Sequence, residues 1–309
     1  MEKVIPQIRY EAIQFPNRTI QALNGWNIID VTWEELIWSA VTCGYWNYHQ
    51  LFQFRNFSAF DLTIRVLRVM SNLEIDHTNN LGKTTLYSNM DKTEKGYISY
   101  FIGMMVNKVL ISRLFGTPWL VHLVTLERMN YVFNFHGGSR PDLVGFHPRF
   151  GFLITEAKGR SNGYSNIALI RGKNQTRSVR RVNGQYPFMR VATESYFAPY
   201  LEARIIDPPT FRKNAIDLKI EPKDFIEAYY GNIQDHIENL YNKIIFKKMG
   251  IDIDISRINK TKQYLEKILI KGNNEKFFKY ESNIESKYKF NDGINLNIDT
   301  EVFKKIIGE

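Results

Sequence analysis

The spacing of apolar positions changes period several times along the chain, and each change predicts an element. Residues 1–30 carry Pro6 and Pro16 and read as a short extended lead-in. From Thr32 the text TWEELIWSAVTCGYW is helical, with Thr32 as N-cap and Glu35 completing a capping box. A second helix is expected over 58–73, where Phe60, Ile64, Leu67 and Met70 fall at helical spacing. The polar, Gly-containing residues 79–88 read as a loop. The strongest helical signal follows. Asp91 and Glu94 form a capping signal ahead of YISYFIGMMVNKVLISRLFG, in which Ile98, Ile102, Met105, Val109 and Leu110 build one apolar face. Gly116 closes this helix, and Gly103 within it predicts close approach to the sheet. Residues 117–129 alternate Trp119, Val121, Leu123 and Thr125 with Leu120, His122 and Val124, and read as the first strand.

The period of two is clearest in RPDLVGFHPRFGFLITEAKGR, Arg140–Arg160. LVGF and FGFLIT are strand-like runs, and the HPRFG between them has turn composition. A hairpin bending about Arg149 sets Phe146 opposite Phe152 and Asp142 opposite Glu156. Side chains alternate along a strand, so Glu156 and Lys158 leave by one face and Ala157 by the other. Two facing carboxylates between apolar flanks repel and are partly desolvated. A cation between them relieves that cost, and a hard divalent ion such as Mg²⁺ suits oxygen ligands of this kind. The bland alternative is a surface hairpin with Glu156 and Lys158 in water, and the apolar flanks argue against it.

Pro141-Asp142 followed by Glu156-Ala157-Lys158 resembles the PD-(D/E)xK nuclease superfamily, over about residues 91–209. That group includes restriction endonucleases, Holliday-junction resolvases and phage-type exonucleases. The resemblance implies an α/β fold of restriction-endonuclease type, a mixed β-sheet flanked by helices. It implies Asp142 and Glu156 as metal ligands with the carbonyl of Ala157, Lys158 beside the attacking water, and Mg²⁺ as cofactor with Mn²⁺ as a substitute. The helix that opens such folds often sends an early Glu to the metal, which makes Glu94 a candidate third acid; its alternative is the capping role alone. Gln175, on a helix expected within 166–182, matches a Gln that touches the site in some relatives.

Composition adds a partner. The chain has 309 residues and formal net charge +9, with 41 Lys and Arg against 32 Asp and Glu, which favours a polyanion. No Asp or Glu occurs between Glu156 and Glu194. Lys158, Arg160, Arg171, Lys173, Arg177, Arg180, Arg181 and Arg190 lie in that gap and read as a phosphate-backbone track, with a solvated basic face as the alternative. The aromatic cluster Tyr45, Trp46, Tyr48, Phe52, Phe54 and Phe57 is a core element before it is a base-stacking platform. His122 reads first as a core histidine. Gly82–Thr85 spells GKTT, but position 77 is His where a phosphate-binding loop needs glycine.

Cys43 is the only cysteine and sits in an apolar context, so neither a disulfide framework nor a Cys-based zinc site is expected. No signal-peptide core is visible, no apolar run approaches the ~20 residues of a membrane span, and a cytoplasmic location is expected. After 210, helices are expected from Pro222, with Phe225, Tyr229, Ile233, Ile237 and Leu240 on one face, and over 258–270. Three regions result: 1–90 mainly helical, 91–210 the nuclease core, and 211–309 mainly helical and rich in Lys, Asn and Ile.

The expected function is a Mg²⁺-dependent endonuclease acting on DNA in restriction, phage defence or mobile-element processing. It would act as a homodimer or with a regulatory protein, and without a membrane. A resolvase or transposon-end nuclease with the same site is the alternative among enzymes. A non-catalytic nucleic-acid-binding or scaffold subunit is the alternative from another class.

Overall fold

A computed structural model describes residues 5–15, 23–43, 56–207, 210–271 and 288–307. The first third holds β1 (Gln7–Ile13), β2 (Gly25–Asp30), α1 (Trp33–Thr42), α2 (Asn56–Asn72), β3 (Leu73–Ile75), β4 (Leu81–Lys83) and α3 (Thr85–Asn89). The middle holds α4 (Lys92–Phe115), β5 (Trp119–His122), α5 (Leu123–Arg128), β6 (Leu143–His147) and β7 (Gly151–Gly159). It continues with α6 (Asn166–Thr176), β8 (Val179–Val182), β9 (Met189–Phe197) and β10 (Leu201–Ile206). The last part holds β11 (Ile216–Leu218), α7 (Pro222–Glu238), α8 (Leu240–Lys248), β12 (Ile251–Asp254), α9 (Ile258–Lys271), β13 (Tyr288–Lys289), β14 (Asn295–Ile298) and α10 (Thr300–Ile307).

A seven-stranded mixed sheet, ordered β2-β1-β10-β9-β7-β6-β5, carries the architecture. β1 runs parallel to β10, and β7 parallel to β9; the other neighbours are antiparallel. The N-terminal lead-in is therefore part of the main sheet. In β1, Ile8, Tyr10 and Ala12 are buried while Arg9 is exposed, the alternation of a half-buried strand. Its partner β10 lies nearly two hundred residues on, as Arg9 opposite Glu202 shows, so no local pattern signals the pairing.

Helices cover both faces. On one, α4 packs against β7 and β9, with α1 behind it. On the other, α6 packs against the same two strands. Asp91 caps α4 through the N–H groups of Thr93 and Glu94, Glu94 reaches back to the Asp91 N–H, and Gly116 ends the helix at φ +59°. One apolar stripe was expected on α4, yet Ile98, Ser99 and every residue from Phe101 to Ser112 are buried, because sheet and helices enclose it. By length and composition α4 also meets the criterion for a membrane span, contrary to the sequence reading; 83% of its apolar window is buried inside the fold, as in a core helix.

Other expectations change. The strand predicted over 117–129 stops at His122, whose Nδ1 accepts the Val124 N–H at 3.2 Å and so caps α5. The face predicted for α2 is rotated: Leu62, Val66, Val69 and Met70 are buried, while Ile64 and Leu67 are exposed. Thr32 caps α1 as expected, but the Glu35 carboxylate is taken by Arg113 at 3.3 Å. Residues 79–88 contain β4 and α3. Leu240 opens a separate helix capped by Asn239. The C-terminal region adds a three-stranded sheet, β12-β14-β13, to its helices. Of the aromatic cluster, residues 45–54 and the side chain of Phe57 lie outside the described part.

Candidate active site

The β6–β7 hairpin has the expected register: Phe146 faces Phe152 and Leu143 faces Thr155, which leaves Asp142 opposite Glu156. The turn is built by His147, whose Nδ1 accepts the N–H groups of Arg149 and Phe150 at 3.0 Å. Gly151 takes φ +83°, a conformation open to glycine at little cost. Below the turn, Asp142 and Glu156 are laced together. The Asp142 N–H donates to Glu156 Oε2 at 2.7 Å, and the Ala157 N–H donates to Asp142 Oδ2 at 3.1 Å. Lys158 donates to Glu156 Oε1.

Glu156 is fully buried, whereas the Lys158 side chain keeps 29% of its surface in water. Burial first, and then the charge of Asp142, push the Glu156 carboxyl well above the usual carboxylate range, with Lys158 opposing. Lys158 is bonded to Glu156 alone, and among the described residues no other basic side chain is bonded to either carboxylate. This partly desolvated pair therefore keeps a deficit of positive charge, which is the condition a hard cation meets. Among the described residues no set of three or more His, Cys, Asp or Glu converges as a metal site, so the acidic donors here are these two.

At Gly172, α6 lies against Glu156 and Lys158. A Cβ there would stand 3.4 Å from Glu156 Cγ and 3.7 Å from Lys158 Cγ. One turn on, Gln175 donates to the Arg140 carbonyl at 2.8 Å, tying α6 to the segment that carries Asp142. From the α4 side comes Tyr100, whose hydroxyl is 3.5 Å from His122 Nε2. Burial, with the charges of Asp142 and Glu156 behind it, holds the Tyr100 phenol above its ordinary value. Burial likewise pulls His122 down to about 4, although Asp142 opposes that shift. The sequence reading passed over Tyr100 and Gly172. A glycine in a helix otherwise free of breakers was the available signal for the second, and nothing local marks the first.

The remaining predicted residues scatter. Glu94 is exposed, and its carboxylate closes the capping box at 3.4 Å from the Asp91 nitrogen, the second of its two readings. Arg160 binds the Gly163 carbonyl and lies 3.6 Å from Glu194. Arg171 points outward from α6, and Lys173 holds Gln14 at 2.9 Å. Arg177 binds Thr210, Arg181 binds Tyr186, and Arg180 makes a two-pronged pair with Asp217 at 2.8 Å. Arg190 is buried and serves the carbonyls of Val179 and Arg180. The stretch is free of acids in sequence but not in space, since β11 lies beside β8 and brings Asp217 with it. Of the proposed track, Arg171, Lys173 and Gln175 share α6 with Gly172, while Arg177, Arg180 and Arg181 follow beyond its end.

Compared with protein-family models, with curated proteins and with solved structures, the chain matches none.

Proposed function

We propose that the chain is a Mg²⁺-dependent deoxyribonuclease of PD-(D/E)xK type, with a core of restriction-endonuclease-like fold spanning α4 to β9. The observation that supports this most directly is the meeting of Asp142, Glu156 and Lys158 on one hairpin, with a charge deficit at the pair. The chain runs α4, β5, α5, β6, β7, so a helix and a strand precede the hairpin that carries the three residues, and α6, β8 and β9 follow it.

In this reading the carboxylates of Asp142 and Glu156 would hold the ion, and the N–H of Ala157 keeps Asp142 in place. The ion supplies Lewis-acid polarisation of the phosphate and a lowered pKa for a bound water. The ammonium of Lys158, bonded to Glu156 and sharing its strand face, would orient the attacking water or offset the charge that develops on the phosphate. Burial of Glu156 keeps these charges strong by excluding water. Gln175 fixes the Arg140–Asp142 segment against α6.

The test is cleavage of single-stranded, duplex and branched DNA in Mg²⁺ against EDTA, beside binding measured in Ca²⁺. Asp142→Ala is expected to stay folded and lose cleavage. Lys158→Ala is expected to bind DNA and metal but to cut about 10²–10³ times more slowly. A folded Asp142→Ala protein that cuts like its parent would remove the site assignment. A parent that binds DNA and never cuts it would instead make the chain a binding or scaffold subunit.

A further inference from the structure

Between α2 and α4 lies a pocket whose lining includes Arg65, Arg68, Tyr97, Tyr100, Phe101 and Met104. Its two arginines are in different states. Arg65 is 7% exposed and committed: its Nε holds Asp61 at 2.7 Å, and it donates to the carbonyls of Ala40 at 3.2 Å and Cys43 at 2.9 Å. Arg68 is only partly buried. Its guanidinium lies 4.7 Å from the Tyr97 ring centre and 5.9 Å from that of Phe101, and among the described residues it has no hydrogen-bond or ion-pair partner. A guanidinium placed over an aromatic face keeps its N–H fork directed outward, which suits bidentate binding of a phosphate.

Tyr100 joins this pocket to the carboxylates, because the same side chain lines the pocket, approaches His122 and feels the charges of Asp142 and Glu156. None of the basic residues singled out along the sequence belongs to the pocket.

We infer that this pocket, with Arg68 as its principal contact, binds a phosphate group of the nucleic-acid strand next to the one attacked at Asp142 and Glu156. The identity of the anion rests on the nuclease reading above. The site itself rests on the geometry of Arg68, Tyr97 and Tyr100. Two sources share this chemistry: an internal phosphodiester and a terminal 5′-phosphate.

The full chain is titrated in Ca²⁺ with one single-stranded oligodeoxynucleotide in three forms: 5′-phosphorylated, 5′-hydroxyl, and with a neutral methylphosphonate backbone. Arg68→Ala is expected to weaken binding of the phosphodiester strands roughly tenfold. It should lower the slope of log affinity against log salt by about one unit, and leave binding of the neutral strand without a terminal phosphate unchanged. Arg68→Lys keeps a point charge without the fork, so it should recover the slope and only part of the affinity. A loss confined to the phosphorylated strand assigns the pocket to a chain end; an equal loss on the hydroxyl strand assigns it to an internal phosphate. Should Arg68→Ala fail to fold, Arg68→Gln, which keeps a stem against Tyr97, carries the same expectations. Equal affinity and equal slope for parent and variant on every strand overturns the inference. Cleavage is scored separately in Mg²⁺. A parent that cuts DNA with no Arg68 effect loses the pocket alone, and a parent that never cuts but shows the Arg68 effect loses the nuclease reading alone.

Discussion

His122 shows how much one side chain near the carboxylates depends on burial. Its Nδ1 accepts the Val124 N–H, so the imidazole is neutral with its proton on Nε2, facing Tyr100. Its folded pKa, about 4, lies below the ordinary 6.5. The unfolded chain therefore binds a proton first as pH falls. Stability from the neutral imidazole is fully present above pH 6.5, declines below it, and is lost as pH passes through 4. Two and a half pKa units correspond to about 3 kcal/mol. His122→Asn keeps an acceptor for the cap and removes the titration. The parent should lose about 3 kcal/mol more than this variant between pH 7 and pH 4, read from urea unfolding at both values. Parallel pH profiles for the two proteins would mean that His122 does not titrate in this way.

At the scale of elements, the contact that positions Lys158 is between two backbones. A Cβ on Gly159 would fall 1.7 Å from the Ser99 carbonyl oxygen, and one on Gly103 would fall 2.8 Å from Gly159 Cα. Helix α4 thus lies directly on the end of β7, and no flexible side chain can move to make room. Gly159→Ala must push the helix off the strand, with an expected cost of about 3 kcal/mol and a displaced Lys158. Gly163→Ala, with nothing within 4 Å of the new methyl group, should change stability by less than about 0.5 kcal/mol. Thermal unfolding of the two variants side by side makes the comparison, and equal midpoints would contradict the close packing of α4 on β7.

Across the whole molecule, a buried polar network joins the three regions into which the sequence divides. Lys108 on α4 is fully buried and donates to the Pro118 carbonyl and, at 3.0 Å, to the Tyr229 hydroxyl. Asp292, also fully buried, accepts from Trp38 at 2.9 Å and from Tyr229 at 2.5 Å. Its carbonyl accepts from Tyr230, which in turn accepts from Trp119 at 2.8 Å. Burial draws Lys108 down to about 8 and raises Asp292, and each charge offsets the shift of the other. Removing either charge leaves the other buried without compensation. Asp292→Asn and Lys108→Met should each cost about 3–5 kcal/mol, while the double variant should cost clearly less than their sum. Urea unfolding followed by tryptophan fluorescence reads this directly, since Trp38 and Trp119 belong to the network. Additive losses would show that Lys108 and Asp292 are not coupled.

What the sequence determined by itself is local. The register that sets Asp142 against Glu156 follows from a short turn and a period of two, both contained within Arg140–Arg160. The bounds of α4 follow from Asp91 and Gly116, because capping acts over a few residues, whereas the helix expected within 166–182 ends at Thr176 and β8 takes 179–182. Tertiary structure decided whatever depended on distant partners. The sheet gained β1 and β2 through pairing with β10, the face of α2 turned with the helices around it, and β5 ended where His122 found a backbone partner. The basic stretch read as free because charge was counted along the chain, yet Asp217 reaches Arg180 across a strand pair and Glu194 lies beside Arg160 on a neighbouring strand. Charge acts through space, and contacts between residues far apart in the chain leave no periodic trace in it.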